Sequence, residues 1–161
     1  MLEDMNPSDI IGKYKQVTLD LYNVGTRNVL YTTVETPYPE GKIIVSTTNT
    51  KGIITHVNHV FIEMSGYKKS ELLGVNHSIL RHPDMPSLIF KSLWDTIQTG
   101  KKWQGVIKNL RKDGGYYWVK VTVAPNIRKG LIVGYTSVRR KPSVSAVAEF
   151  MERYPVSNKG D

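Results

Sequence analysis

The sequence contains no cysteine among its 161 residues. Disulfide bonds, thiolate metal sites and cysteine nucleophiles are therefore excluded, and the composition fits a reducing compartment. The sequence also lacks an apolar run long enough to cross a bilayer, and residues 1–5 are acidic where a signal peptide would be basic. We therefore expect a cytoplasmic protein without a membrane span, and the length predicts one core with modest extensions.

The chain has an excess of basic residues, with 22 Lys and Arg against 14 Asp and Glu and a formal net charge of +8. Clustered basic residues would indicate nucleic-acid binding. Here they are scattered over predicted turns and strand ends, as in Lys101-Lys102, Arg128-Lys129 and residues 139–141, without a recognition-helix or zinc-finger pattern. We interpret them as solvated charges and predict no nucleic-acid partner.

The first 41 residues form a segment distinct from the rest. In residues 7–23, apolar side chains recur at helical spacing behind Pro7, Ser8 and Asp9, which predicts an amphipathic N-terminal helix. Its apolar face needs a partner, either the domain's own sheet or a second subunit, which would make a homodimer. Residues 24–41 mix glycine, proline and threonine and are predicted to be a linker.

Residues 42–141 form the main predicted domain. Alternating apolar and polar residues predict strands, and apolar residues three and four apart predict helices. In chain order we expect a strand hairpin, short helices, a long helix and three further strands, with the hairpin at 43–47 and 52–57, the long helix at 87–98 and the strands at 103–110, 116–126 and 131–139. This order is typical of an α+β fold in which a five-stranded antiparallel sheet carries helices on one face. Residues 142–161 are predicted to add a C-terminal helix and a polar tail.

One loop concentrates polar side chains. Residues 81–86 read Arg-His-Pro-Asp-Met-Pro. The two prolines lock φ, withhold two backbone donors and favour extended backbone before them, so Arg81, His82 and Asp84 should splay from a stiff loop. Such a cluster suits an anionic or hydrogen-bonding ligand. The alternative is that the prolines only separate two helices and that Asp84 caps the second.

These motifs resemble a known family. The run at 81–86, with several segments elsewhere, closely resembles the PAS domain of bacterial aerotaxis and energy-taxis receptors; those segments are Gly66-Tyr67, Lys112-Asp113-Gly114 and Tyr117-Trp118-Val119, with Trp103 and Asn109 in register. The resemblance extends from about residue 43 to residue 140. It implies a PAS fold that holds FAD non-covalently between the sheet and the short helices, with the redox state of the flavin as the signal.

The resemblance also suggests which residues hold FAD, which combines a flat ring system, an imide edge and an anionic pyrophosphate. A tryptophan would lie against the ring, asparagine amides match the imide edge, and Arg and His suit the anionic part, with Asp84 orienting them or bonding a sugar hydroxyl. The predicted cofactor site consists of Asn58, His77, Arg81, His82, Asp84, Phe90, Trp94, Trp103, Asn109 and Tyr117. Asn109 is predicted to change its hydrogen bonding on flavin reduction and to pass the change along its strand.

Each of the other sensing mechanisms known on this fold requires a particular residue type, which the sequence either has or lacks. Blue-light flavin sensors of this fold form a cysteine adduct, which this chain cannot form. A haem-binding sensor would need an axial histidine, and only His77 or His82 would serve. A cofactor-free PAS module that dimerises or scaffolds is a further alternative. We predict neither an enzyme nor a metal site, because no nucleophile-and-base pattern or phosphate loop is present and His56 and His59 lack a third ligand in register.

The predicted partner follows from the same resemblance. Receptors of this family continue into a membrane anchor and a signalling domain, which this sequence does not include. We expect either an excised piece or, preferably, a separate sensor that docks on a membrane-bound chemotaxis transducer or its cytoplasmic signalling domain, as in bipartite energy-taxis systems. The sensor would then be peripheral to the inner membrane through that partner. The outer sheet face and the terminal helices are the predicted docking surface.

Overall fold

The computed structural model describes residues 2–156. Its N-terminal segment is a 3-10 turn, Pro7–Asp9, followed by strands β1 (Lys15–Leu21) and β2 (Gly25–Tyr31), which pair as an antiparallel hairpin. The helix predicted over 7–23 and the linker predicted over 24–41 are therefore wrong. Val17, Leu19 and Leu21 alternate with polar residues, and this period of two is satisfied by a paired strand. The prediction of a helix relied instead on apolar residues spaced three and four apart in the same segment.

The apolar face of this hairpin is buried within the same chain. Leu21, Val29 and Leu30 are each at most 2% exposed. Arg27 fastens the hairpin to the helices because its guanidinium donates to the Ile79 carbonyl at 3.0 Å and to the Tyr67 hydroxyl at 3.3 Å. The homodimer predicted through an N-terminal helix therefore loses its basis, since that helix does not form.

The main sheet has five antiparallel strands in the order β4-β3-β7-β6-β5, as the sequence predicted. Its strands are β3 (Ile44–Thr48), β4 (Ile54–Val57), β5 (Trp103–Leu110), β6 (Tyr116–Arg128) and β7 (Leu131–Arg140). Turn-forming runs rich in Gly, Asn and Lys separate the paired strands, so pairing is local except where β7 returns to β3. This topology leaves β5 at one edge of the sheet.

Helices α1 (His59–Ser65), α2 (Lys69–Leu72) and α3 (Ser87–Ile97), with a 3-10 turn at His77–Leu80, connect β4 to β5. Asn58 caps α1 by accepting the Phe61 N–H at 3.1 Å, and Gly66, at φ 77°, ends it. Pro86 immediately precedes α3. These elements cover the inner face of the sheet, as expected from the sequence.

The two faces of the sheet have different partners. On β6 the side chains of Val119 and Val121 belong to the main core, whereas Trp118 points to the outer face. There Trp118 meets Phe150 of the C-terminal helix α4 (Val144–Arg153), with ring centroids 5.6 Å apart. The predicted C-terminal helix is confirmed. Within residues 2–156, none of the helices has both the length and the apolar character that a bilayer crossing requires.

Candidate functional site

A cavity of about 760 Å³ lies between the inner face of the sheet and the helices. β5, β6 and β7 form its floor, and α3 and the 3-10 turn at His77–Leu80 form the opposite wall. The volume falls within the range of about 300 to 1,000 Å³ that is typical of small-molecule sites. The chain's own side chains therefore leave the interior open, and this cavity is the candidate site.

Apolar and aromatic side chains line the deep part of the cavity. Ile107, Val119 and Val121 face inward from neighbouring strands. On the opposite wall, Phe90 and Trp94 lie one helical turn apart on α3. The Trp94 ring meets the Tyr135 ring edge-on, with centroids 5.6 Å apart. An aliphatic floor facing aromatic side chains suits a flat ring system.

Arg81 supplies a cation beside β5. Its backbone forms an isolated antiparallel bridge with Asn109, which holds the loop against the edge strand. The guanidinium carbon lies 4.0 Å from the centroid of the Phe90 ring, and Nη2 donates to the Ser87 hydroxyl at 3.3 Å. Burial lowers the pKa of Arg81 to about 10, so the side chain stays protonated at neutral pH. Among the described residues no carboxylate pairs with it.

Arg139 supplies a second cation from β7. The side chain is 2% exposed; Nη1 donates to the Ser46 hydroxyl at 3.1 Å and Nη2 to His77 Nε2 at 2.7 Å. Burial, reinforced by the charge of Arg139, lowers the pKa of His77 to about 3, so the imidazole is neutral and accepts this bond. Within residues 2–156 no carboxylate balances Arg139. An anionic group in the cavity would compensate a buried charge of this kind.

Two buried donors in the cavity wall have no hydrogen-bond partner in the described part of the chain. They are Nε of Arg81 and Nδ2 of Asn109; the Asn109 amide makes no bond of standard geometry, but it lies close enough to the Tyr117 hydroxyl to act against the burial that raises the pKa of Tyr117. Leaving a buried donor unsatisfied costs about 1 to 3 kcal/mol, so such groups are rare unless something else binds them. Neither nitrogen has accessible surface in this conformation, so a ligand acceptor would reach them only after a rotation of the Arg81 or Asn109 side chain.

The structure brings five of the ten predicted site residues to the cavity wall, namely His77, Arg81, Phe90, Trp94 and Asn109. They come from the 3-10 turn, the loop at 81–86, α3 and β5. The remaining five do not line it.

His82 and Asp84 lie on the other side of their loop from Arg81. His82 is 1% exposed and lies between the rings of Tyr31 and Tyr116, with centroids 5.7 and 6.0 Å away. Its Nδ1 accepts the Asp84 N–H at 3.0 Å, and the Asp84 carboxylate pairs with Lys108 at 2.8 Å. The three polar residues predicted to act as one cluster are therefore divided between cavity and packing.

The other three predicted residues lie outside the cavity, and two of them, Asn58 and Trp103, have hydrogen-bond partners of their own. Asn58 uses its amide to hold α1 to β3, accepting the Val45 N–H at 3.0 Å in addition to its capping bond. The Trp103 ring lies over Gly105, and its indole N–H donates to the Ser92 hydroxyl at 3.3 Å. Tyr117 is completely buried behind the wall, and burial raises its pKa to about 12. None of the three reaches the cavity.

Sequence reasoning missed residues that the structure places in the wall, above all Arg139 and Tyr135. Residues 139–141 were predicted to be solvated charges, which is wrong for Arg139. A signal existed, because Tyr135, Ser137 and Arg139 alternate with Thr136 and Val138 and so share the buried face of one strand. Across residues 2–156, no three His, Asp or Glu side chains lie close enough together to hold a metal ion.

Comparison with protein families gives a match to the PAS fold over residues 54–138, more than half of the chain. The chain is 39% identical over 125 residues to the aerotaxis receptor of Escherichia coli K12, covering 78% of this chain and 25% of the receptor. It is 28% identical over 150 residues to the nitrogen fixation regulatory protein of Klebsiella pneumoniae, covering 92% of this chain and 28% of that protein. The chain therefore spans about a quarter of the length of these relatives.

Solved structures agree on the fold. The light state of the blue-light photoreceptor Aureochrome1 LOV superposes with a TM-score of 0.62 at 23% identity, covering 68% of this chain and 89% of that chain. A light-oxygen-voltage domain structure concerned with a flavin analogue gives a TM-score of 0.60 at 25% identity, covering 69% and 84% of the two chains.

Proposed function

Because the chain belongs to the PAS fold family, we propose that it is a redox signal sensor that binds FAD non-covalently in the cavity of its PAS domain, residues 42–141. The observation that carries this proposal is an open cavity holding two guanidinium groups without a carboxylate partner among the described residues. The relatives named as an aerotaxis receptor and a nitrogen fixation regulator also support a signalling role.

The residues present fit a flavin. The aliphatic floor and the aromatic wall suit the three-ring system, and the amide of Asn109, which lines the cavity, suits its hydrogen-bonding edge. Arg81 and Arg139 suit the anionic parts of the molecule. His82, Asp84, Asn58, Trp103 and Tyr117 are left out of the proposed contact set, because they do not line the cavity.

We assign the redox response to Asn109. A bound flavin supplies two-electron chemistry in which its ring gains charge and a proton on reduction. Asn109 is 4% exposed, and its amide nitrogen makes no bond of standard geometry among the described residues while it lies near the Tyr117 hydroxyl, so its amide is placed to change orientation with the ligand's protonation. Its backbone is bridged to Arg81, which connects the response to the loop at 81–86.

The proposed partner is a membrane-bound chemotaxis transducer or its cytoplasmic signalling domain, contacted on the cytoplasmic side through the outer sheet face together with helix α4, which packs on that face at Trp118. The other candidate ligand, haem, has weaker support. His82 lies outside the cavity, and Nε2 of His77 already accepts a bond from Arg139.

The visible spectrum of freshly purified protein, before and after dithionite, tests the proposal. A flavin absorbance pair that bleaches on reduction, with FAD identified in the released cofactor by chromatography, is the expected result. A colourless protein that takes up neither FAD nor FMN would favour a cofactor-free module, and a sharp haem band would favour a gas sensor.

A pair of variants on one strand links the spectrum to the cavity. Arg139→Met removes the buried cation and is expected to lower the retained flavin about tenfold, because a charge-assisted contact is worth about 1.5 to 3 kcal/mol. Arg140→Met removes an equal charge from the exposed neighbouring residue and should leave the amount of retained flavin unchanged. Equal retention of flavin in both variants would contradict the proposed site.

Asn109→Ala tests the assignment of the redox response. Hydrogen exchange is compared between the oxidised and reduced forms of the flavin-loaded variant. If the variant retains flavin and shows the same differences as the parent chain, the assignment to Asn109 is wrong.

A further inference from the structure

The mouth of the cavity differs in chemistry from its interior. Its exposed lining side chains come from three separate segments: the tip of the β1–β2 hairpin including the end of β1, the turn between β3 and β4, and α3. The main contributors are Asp20, Tyr22, Asn23, Lys51, Lys91 and Asp95. A ligand that fills the apolar interior and extends outward would therefore meet a polar rim, half of which belongs to the N-terminal hairpin.

The tip of the hairpin is firmly anchored. Leu21, on one side of the tip, is 2% exposed, and Val24, on the other, packs against the main core. The Val24 N–H donates to the Leu21 carbonyl at 3.0 Å, and Asn23 adopts a left-handed φ of 57° that closes the turn. Arg27 holds the hairpin to the 3-10 turn that forms part of the cavity wall. The two tip residues are thus presented from a fixed position.

Tyr22 is the aromatic residue at this tip. It lines the mouth but is 80% exposed, and within the described residues no other ring contacts it. An exposed tyrosine on a rigid turn supplies a stacking surface at low entropic cost, because its backbone is already ordered. Asn23 places an amide next to it, and Lys51 a cation on the adjoining turn.

We propose that the hairpin tip is a subsite for the adenosine half of the dinucleotide, in which Tyr22 stacks on the adenine base. This inference rests on the proposed binding of a flavin. With the ring system in the apolar interior, the remainder of FAD must leave through the mouth, where an aromatic face, an amide and a cation meet a base, a sugar and a pyrophosphate. Tyr22 is then a specificity-determining residue that favours FAD over FMN and riboflavin.

Titration of the flavin-free full chain with FAD, FMN and riboflavin tests the subsite. Tyr22→Ala is expected to weaken FAD binding by about five- to hundredfold, the range observed for loss of one base-stacking contact, and to leave FMN and riboflavin binding unchanged. Tyr22→Phe keeps the ring and should retain FAD affinity. Tyr14→Ala is the matched control, because Tyr14 is also exposed but does not line the cavity.

The outcomes separate this inference from the proposed function. If the parent chain binds FAD and FMN while Tyr22→Ala binds FAD normally, the subsite is wrong and the flavin site stands. Equal weakening of FAD and FMN would show that Tyr22 only supports the fold, which also overturns the subsite. If the parent chain binds no flavin at all, both proposals fail together.

Discussion

The side chains on the two sides of the loop at 81–86 lie in different surroundings. Arg81 faces the cavity, where its Nε lacks a partner within residues 2–156. His82 and Asp84 face away from the cavity, towards Tyr31, Tyr116 and Lys108. A motif that looks like one functional unit in the sequence therefore contributes one side chain to the cavity wall and two side chains to packing.

The division has a simple backbone cause. Arg81 adopts φ −65° and ψ 113° and pairs with β5. The residue that precedes Pro83 is restricted to extended backbone, and consecutive side chains of an extended segment point to opposite sides. The cavity side should thus control ligand affinity and the packed side stability, and four experiments test that separation.

The largest effect is expected for His82→Ala. Removing a ring that lies between Tyr31 and Tyr116 leaves a void, and the Asp84 N–H loses its acceptor. We expect a loss of about 2 to 4 kcal/mol in the free energy of unfolding, measured by urea denaturation of the flavin-free chain. His56→Ala, at an exposed position, should cost under about 0.5 kcal/mol. Similar small losses in both variants would show that His82 does not fasten the loop.

The pH dependence of the free energy of unfolding tests the packed side of the loop, where His82 lies. Burial, with a smaller effect of the Lys108 charge, lowers the pKa of His82 to about 3, although Asp84 acts in the opposite direction. The unfolded chain binds this proton near pH 6.5 while the native imidazole stays neutral, so stability is present above that pH and falls as pH drops from about 6.5 towards 3.

The expected slope approaches about 1.4 kcal/mol per pH unit for one proton. Urea unfolding at several pH values between about 7 and 4 measures it. His77 adds to the same slope, since its pKa is also lowered, so the variants isolate His82. His82→Gln should flatten the slope and His56→Gln should not. An unchanged slope in His82→Gln would contradict the neutral, buried imidazole.

Arg81→Met probes the cavity side. We expect flavin affinity to fall about tenfold, or roughly 1.4 kcal/mol, because a cation next to the ligand is lost. The free energy of unfolding without flavin should change by less than about 1 kcal/mol, since methionine can still pack on Phe90. Arg128→Met removes an exposed charge and serves as the control. A lower free energy of unfolding with unchanged flavin affinity in Arg81→Met would contradict the placing of Arg81 on the ligand side of the loop.

The smallest effect is expected for Trp103→Phe. Trp103 packs on Gly105 outside the cavity, so flavin affinity should stay within about twofold, roughly 0.4 kcal/mol. Trp94→Phe changes a ring in the wall and should weaken binding more. Fluorescence titration of both variants measures the difference, and a larger loss for Trp103→Phe would return that residue to the site as the sequence had predicted.

Much of the fold was accessible from sequence because its signals are local. The strand β5 was predicted with its observed limits, and the ends of β6, β7 and α3 to within two residues, from period-two alternation, helical spacing and glycine-containing turns. The N-terminal hairpin was not, since Val17 and Leu21 fit both a helix and a strand until a pairing partner is known.

The amino-acid sequence by itself determined the element order of the main domain, its motif loop and the supply of aromatic, amide and cationic side chains. Only the tertiary structure decided which of those side chains meet in one cavity. It turned Arg139 inward, placed His82 and Trp103 outside, and brought Tyr22 to the mouth. The physical reason is that spacing along the chain sets periodicity, whereas the face that is buried depends on partners distant in sequence.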